Sequence, residues 1–433
     1  MICDILVIGA GPAGLTAALH AASAGAKTAI LAKGIGTTHW AAGWVDILGY
    51  WPPGSPQPVR DPRAAVGALA SALPGHPYAR AGLRALDEAL LAFQRAATAE
   101  GIPYAGSLDR NLLATTPSGS RRPTCLVPHA MLEGTRVAAG RTLIVGIGGL
   151  RDFYGAYIAA NLRAQGCEAD RAIVEVPAIR ARNPQTTATL AAMLEDRPVR
   201  DELIRAVIPV ARGFDRIGFP AVLGMNRHRE VVDEVGKALG SAVFEIPTLP
   251  PSVPGIRLFE ALRRRLAALG VRVIIGSEVV QRFAEGNRLL GIGSEAAART
   301  QRQTAGAFIL ATGGILGGGI VAGADGAVRE AALGLPVHAP VARGAWFSPQ
   351  ALAHQGHPIF QSGVLVNERM QPVGPRGDVA FRNVYAAGAV LAGADEWREK
   401  SHEGVALATG YRAAQAATER TRPAAQADAE ASR

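Results

Sequence analysis

Cysteine is scarce in this chain: Cys3, Cys125 and Cys167 are the three in 433 residues, far apart and in no C-x-x-C or metal-ligand spacing. That excludes a disulfide framework. It also excludes a structural zinc or iron–sulfur site, and suits a reducing cytoplasm. A secretory signal is missing too, since the chain opens as a strand and not as a charged region before an apolar core. The uncharged stretch Gln303 to Ala324 mimics a membrane span but holds Gly306, Gly313, Gly314, Gly317, Gly318, Gly319 and Gly323. Each glycine costs about 1 kcal/mol against alanine inside a helix, so a strand and a glycine loop are expected there. Net charge is +9, yet no RNA-reading motif and no basic stripe interleaved with aromatics accompanies it. The arginines are scattered, with short clusters at Arg121-Arg122 and Arg263-Arg264-Arg265. They read as solvated surface, or as attraction for an anionic substrate or acidic partner, with nucleic acid not expected.

What the chain does have stands at its start. Ile5 to Ile8 is an apolar run short enough for a buried parallel strand. Gly9-Ala-Gly11-Pro-Ala-Gly14 follows with G-x-G-x-x-G spacing, then a helical stretch from Leu15 to Ala24 closed by Gly25, then a second strand from Thr28 to Leu31. Gly9 permits the tight turn, Gly11 lets the backbone approach a pyrophosphate, and Gly14 lets helix and strand pack closely. The helix N-terminus offers free N–H groups and a positive dipole end to that anion. One acid is missing. The second strand of such a unit ends in Asp or Glu, which binds a ribose hydroxyl; here it ends Ala32-Lys33. Either the adenosine ribose is held otherwise or the nucleotide is shorter, so FMN stays open beside FAD.

The rest of the chain divides around two proline-rich crossings, Trp51 to Pro62 and Ile246 to Gly255. They predict a discontinuous nucleotide-binding domain, residues 1–50 and 251–420, interrupted by an inserted α+β domain over 51–250 and followed by a frayed tail, 421–433. The fold class is therefore α/β, a Rossmann-like FAD/NAD(P)-binding fold with an insertion. Within the insertion, Tyr78 to Glu100 reads as an amphipathic helix and Thr142 to Ile147 as a strand before a helix from Asp152 to Ala164. On the return, Val271 to Ile275 is a strand, Glu285-Gly286-Asn287 a hairpin turn, and Ala307 to Leu310 a buried strand ending Ala311-Thr312-Gly313-Gly314. In two-part flavoproteins such a turn lies near the nucleotide's phosphates. Asn383 to Asp395 is the last strand-to-loop crossing, where Ala389 stands after Gly388 in place of the acid many flavoenzymes use on the ribityl chain. The closing helix from Gly404 to Ala417 has an N-terminus able to face a flavin's pyrimidine edge.

Several motifs together resemble the B-subunit family of anaerobic glycerol-3-phosphate dehydrogenase. They are the opening glycine motif, the loop His39 to Asp46, Pro103 to Ser107 with Thr116 to Gly119, Val145 to Phe153, Pro254 to Leu258, Ala311 to Ala322, and Arg343 to Trp346. They run in order over nearly the whole chain. The family's own missing acid agrees with Ala32-Lys33, and the family is assigned FMN. The loop around His39 also resembles the flavin-side loop of the succinate-dehydrogenase-like group.

The resemblance implies a flavin-dependent oxidoreductase subunit that oxidises sn-glycerol 3-phosphate to dihydroxyacetone phosphate. The implied partners are the catalytic flavoprotein or A-subunit of the complex and a membrane-associated iron–sulfur subunit that passes electrons to quinone. The implied location is the cytoplasm, peripheral on the inner face of the membrane through a partner. The expected cofactor-binding residues are Gly9, Gly11, Gly14, Lys33, Gly43, Thr312, Gly313, Gly388 and Gly404. His39 is expected as the base for the substrate hydroxyl, with His129 a rival, and Arg343 as the anion-binding cation; no metal is expected. The alternatives are a fumarate-reductase-like flavoenzyme acting on another small acid, and a non-catalytic flavin-relay or structural subunit.

Overall fold

The structure, a computed structural model, describes residues 2–182, 186–296, 299–353 and 355–421. The expected tail thus lies, from residue 422 onward, outside the described residues. The chain forms two compact units. One comprises residues up to Thr37, Asp46–Ala96 and the chain from Leu262 onward; the other comprises Thr38–Val45 and Ala97–Ala261.

The first unit is built on the opening strand, Ile2–Ile8. Its residues Ile5, Leu6 and Val7 have no exposed surface. It pairs in parallel with Thr28–Ala32 on one side and with the end of Arg299–Leu310 on the other, Ile8 meeting both Leu31 and Leu310. A strand covered on both faces needs no polar alternation, which is why its sequence is a continuous apolar run. Arg272–Ile275 extends the parallel sheet beyond Thr28–Ala32, and Val384–Ala386 pairs in parallel with Phe308–Leu310. The hairpin expected at Gly286 joins Glu278–Glu285 to Arg288–Ala296, and Ile292–Ala296 pairs antiparallel with Arg299–Gln303. The segment that mimics a membrane span is the end of the strand Arg299–Leu310, a glycine turn and the short strand Ile320–Ala322.

The helix after the glycine turn, Pro12–Ser23, buries a face of small residues, Ala13, Gly14, Ala17, Ala18 and Ala21 among them. That lets the closing helix, His402–Thr421, come close enough that a Cβ on Gly410 would stand 2.5 Å from the Ala13 carbonyl oxygen. The expected helix over Tyr78 to Glu100 is two helices, Pro77–Ala81 and Leu83–Ala99, broken at Gly82 with φ +83°. Residues 51–96, expected in the insertion, sit in the first unit instead. Tyr78 donates its hydroxyl to the Ile47 carbonyl at 2.5 Å, and the buried His76 Nε2 lies 3.2 Å from Glu399.

The second unit centres on a parallel sheet in the order Ala242–Ile246, Arg216–Pro220, Thr142–Ile147, Ala169–Val174. Two antiparallel ribbons accompany it: Tyr104–Gly106 with Leu126–Pro128, and Leu112–Thr115 with Arg121–Thr124. The helix after Thr142–Ile147 is Gly155–Ala164, starting later than the sequence suggests. The loop Thr38–Val45 belongs to this unit because Val45 bridges to Leu126, Tyr104 donates its hydroxyl to the Gly43 carbonyl at 2.6 Å, and the Ser252 amide donates to the His39 carbonyl at 2.8 Å.

Candidate functional site

A cavity of about 340 Å³ opens at the C-terminal ends of the parallel strands of the first unit. That volume and place are usual for a cofactor in an open α/β sheet. Its floor is the first glycine turn. Gly9 has φ +120°, and a Cβ there would strike the Ala311 carbonyl. Gly11 is the N-cap of Pro12–Ser23, has no side-chain cap, and has nothing within 4 Å of where a Cβ would be. Its backbone therefore faces open space, and the Ala13 and Gly14 amides come before the first helical bond, from Leu15 N–H to the Gly11 carbonyl. Gly14 does not line the cavity; a Cβ there would collide with the Gly9 carbonyl, so it serves the close helix–strand approach.

The Thr312-Gly313 turn and Gly388 complete the small-residue wall. The Thr312 hydroxyl is buried and finds no hydrogen-bond partner among the described residues. The Gly388 amide donates to the buried Thr409 hydroxyl at 2.8 Å, tying this wall to the closing helix. A Cβ at Gly388 would stand 2.7 Å from that of Ala13. Ala389, found where an acid was sought, also lines the cavity.

At one end of the cavity lie Leu31, Ala32, Lys33, Ser277 and Glu278. Lys33 Nζ pairs with Glu278 Oε1 at 3.0 Å, and both side chains are at least half exposed. The Ser277 amide donates to the Ala32 carbonyl at 3.0 Å, so an acid from a different strand stands beside the end of Thr28–Ala32. Elsewhere on the wall are Thr37, Glu396, Trp397 and His402. His402 Nδ1 lies 2.5 Å from Glu396 Oε2, and its Nε2 lies 3.2 Å from the Thr37 hydroxyl. Burial acts to lower the imidazole's affinity for its proton. The charge and hydrogen bond of Glu396, with the charge of Glu403, outweigh it and raise the pKa from 6.5 to about 9.

The chain matches the FAD binding domain family over residues 4–405. It is 36% identical over 432 residues to a protein of Halobacterium salinarum named as the probable B-subunit of anaerobic glycerol-3-phosphate dehydrogenase, covering 96% of this chain and 98% of that one. It is 33% identical over 417 residues to the protein of Yersinia pestis bv. Antiqua named as the B-subunit of the same enzyme, covering 93% and 95%. Among solved structures it is similar to the open conformation of a flavocytochrome c3 fumarate reductase, at 11% identity and a TM-score of 0.45, over 98% of this chain and 79% of that one.

The chain belongs to the B-subunit family of anaerobic glycerol-3-phosphate dehydrogenase.

Membership in this family and in the FAD binding domain family makes the chain a flavoprotein with a Rossmann-like fold, an oxidoreductase subunit. The relatives carry the name of one subunit of a larger enzyme. Among the described residues no helix is long and apolar enough to cross a membrane. The cavity fits the cofactor: a bare-backbone turn at an uncapped helix N-terminus suits phosphate, and the orphaned Thr312 hydroxyl is a donor awaiting an acceptor.

Of the residues expected to touch the cofactor, the fold brings Gly9, Gly11, Lys33, Thr312, Gly313 and Gly388 to the cavity. Gly404 is elsewhere: its amide donates to the Asp46 carbonyl, and a Cβ would strike the Tyr78 hydroxyl. Gly43 belongs to the second unit, packed against Pro254. His39 is in the same unit, edge-on to Phe259 with ring centroids 4.9 Å apart. Burial holds its pKa below 6.5 against the opposing charge of Glu260. Its Nε2 has no hydrogen-bond partner among the described residues. His129, also in the second unit, is exposed at the start of a short 3-10 helix. Arg343 is exposed in the first unit, donating to the Ala324 carbonyl at 3.2 Å with its guanidinium over Trp346; it does not line the cavity.

Glu278, Glu396, Trp397 and His402 are cavity residues that sequence reasoning passed over. The signal for His402 was its place just before Gly404 at the head of the closing helix. Glu278 carried none, being separated from Lys33 by 245 positions.

Proposed function

We propose that this chain is the flavin-bearing subunit of an enzyme that oxidises sn-glycerol 3-phosphate to dihydroxyacetone phosphate. Electrons leave through a membrane-associated iron–sulfur subunit to quinone, the catalytic flavoprotein or A-subunit is the other partner, and the chain sits on the cytoplasmic side, peripheral to the membrane through the iron–sulfur partner. The name shared by the curated relatives supports the substrate, and the glycine-floored cavity supports the cofactor. FAD is the form we favour. The single observation behind that choice is the cavity's reach past the glycine turn to Ala32, Lys33 and Glu278, where an adenosine ribose would need an acceptor. FMN would leave that end without a ligand group.

The flavin supplies the two-electron acceptor. The chain supplies the rest. Gly9, Gly11 and the first turn of Pro12–Ser23 hold phosphate, Thr312 donates its hydroxyl, and Glu278 accepts from the ribose. His39 is our candidate for the substrate hydroxyl's proton, on its place in the loop His39 to Asp46 and on an imidazole that burial keeps neutral. Arg343 is our candidate cation for the substrate's phosphate, a role that suits an exposed guanidinium.

Two measurements test this reading. Heat release of the nucleotide from pure protein, followed by mass determination, is expected to give FAD; FMN overturns that part. Anaerobic addition of glycerol 3-phosphate to the isolated holoprotein is expected to bleach the yellow flavin. Bleaching only when the A-subunit is added would make this chain the relay instead.

A further inference from the structure

His402 is fixed from both sides. The closing helix begins at His402 and runs for 20 residues, so its free amide end adds partial positive charge at this point. The segment before it is clamped: Ser401 donates its hydroxyl to Glu399 at 2.8 Å, the Asp395 amide donates to the same carboxylate at 3.1 Å, and the Gly49 amide donates to the Glu399 carbonyl at 2.7 Å. Trp397 stacks on the imidazole, the rings 19° from parallel. With Glu396 at Nδ1 and the Thr37 hydroxyl at Nε2, a protonated ring donates both N–H groups, and Thr37 keeps its own O–H to offer to a ligand. Lys33 is the other cationic side chain among the described residues that line the cavity; both cations are paired with a carboxylate, but Lys33 is exposed, where solvent screens its charge, and His402 is largely buried.

We propose that His402, clamped between Glu396 and Thr37, is the cation that favours the reduced, negatively charged form of the bound flavin. Accepting a hydride, two electrons and one proton, adds one negative charge to the ring system. A fixed positive charge in a partly desolvated wall stabilises that product more than the neutral oxidised ring. The inference rests on the flavin reading above. The side chain's raised proton affinity keeps it cationic through neutral pH, and the carboxylates acting on it are Glu396 from the preceding short helix and Glu403 from its own.

The test uses the purified holoprotein without substrate, equilibrated with dithionite and a reference dye. At pH 7, His402→Gln is expected to disfavour reduction at least tenfold, a negative shift of about 30 mV for a two-electron couple. His402→Lys, which keeps the charge, is expected to recover most of that shift. In the unmodified protein the potential should fall more steeply with pH above about 9, by one further proton per two electrons, as His402 loses its charge. His402→Gln should abolish the steepening. An unchanged or more positive potential in His402→Gln overturns the proposal. Should that variant fail to keep its flavin, an unchanged slope in the unmodified protein overturns it equally. Flavin absent from the unmodified protein would instead sink the reading beneath it.

Discussion

Glu278 and Lys33, 245 positions apart, meet at 3.0 Å at the end of the second strand, where the nucleotide fold usually has an acid of its own. The pairing of Arg272–Ile275 with Thr28–Ala32 delivers Glu278 there, since the chain emerging from Ile275 leaves the sheet beside Ala32. An exposed pair of this kind contributes little to stability, about 0–1 kcal/mol.

Glu278→Ala should therefore leave the thermal midpoint close to that of the unmodified protein while weakening FAD. A charged hydrogen bond contributes about 1.5–3 kcal/mol, so the FAD dissociation constant should rise about tenfold to a hundredfold. FMN affinity should stay the same. Titration of the apoprotein with each nucleotide reads this directly, and equal losses for both would show that Glu278 does not hold the adenosine end.

Gly11 and Gly14 should separate cofactor binding from folding. A methyl at Gly11 meets nothing in the protein and intrudes on the cavity. Gly11→Ala should fold with a loss of about 1 kcal/mol at the helix cap, yet lose its yellow colour. A methyl at Gly14 strikes the Gly9 carbonyl, so Gly14→Ala should cost about 1–3 kcal/mol or more in stability. Chemical denaturation beside flavin content distinguishes the two.

The two units should respond to opposite ends of the pH scale. His402 binds its proton more tightly folded than unfolded, so its contribution is full below pH 6.5 and is lost as pH rises through about 9. His228 is the reverse. Burial, then the Arg257 charge, lowers its pKa to about 4, so its contribution is full above 6.5 and is lost as pH falls toward 4. Amide exchange on the apoprotein should show loss of protection near His402 in alkali and around His228 in acid. Replacing either histidine with Gln should flatten its own limb only.

His39→Asn should lower kcat for glycerol 3-phosphate oxidation by about 10²–10⁴, the usual contribution of a general base, with flavin content unchanged. Arg343→Gln should act instead on KM, raising it about tenfold, the loss of one charged hydrogen bond to the phosphate. Steady-state rates at matched flavin loading check both. Unaltered kcat in His39→Asn would return the proton transfer to another group.

Local chemistry wrote much of this protein into its sequence. The run Ile5 to Ile8, the turn from Gly9 to Gly14 and the helix behind it were legible because an apolar period, a required positive φ and a proline at the helix start each act within a few residues. The hairpin at Gly286 and the strand before Thr312 were legible for the same reason. Tertiary structure alone decided which residues surround the cavity beyond that turn. Glu278 reaches Lys33 through strand register, His402 reaches Thr37 across 365 positions, and the stretch 46–96 joins the first unit through the carboxylate and carbonyl of Glu399. Those contacts depend on sheet order and on how closely helices with small-residue faces approach, neither of which leaves a mark on neighbouring residues.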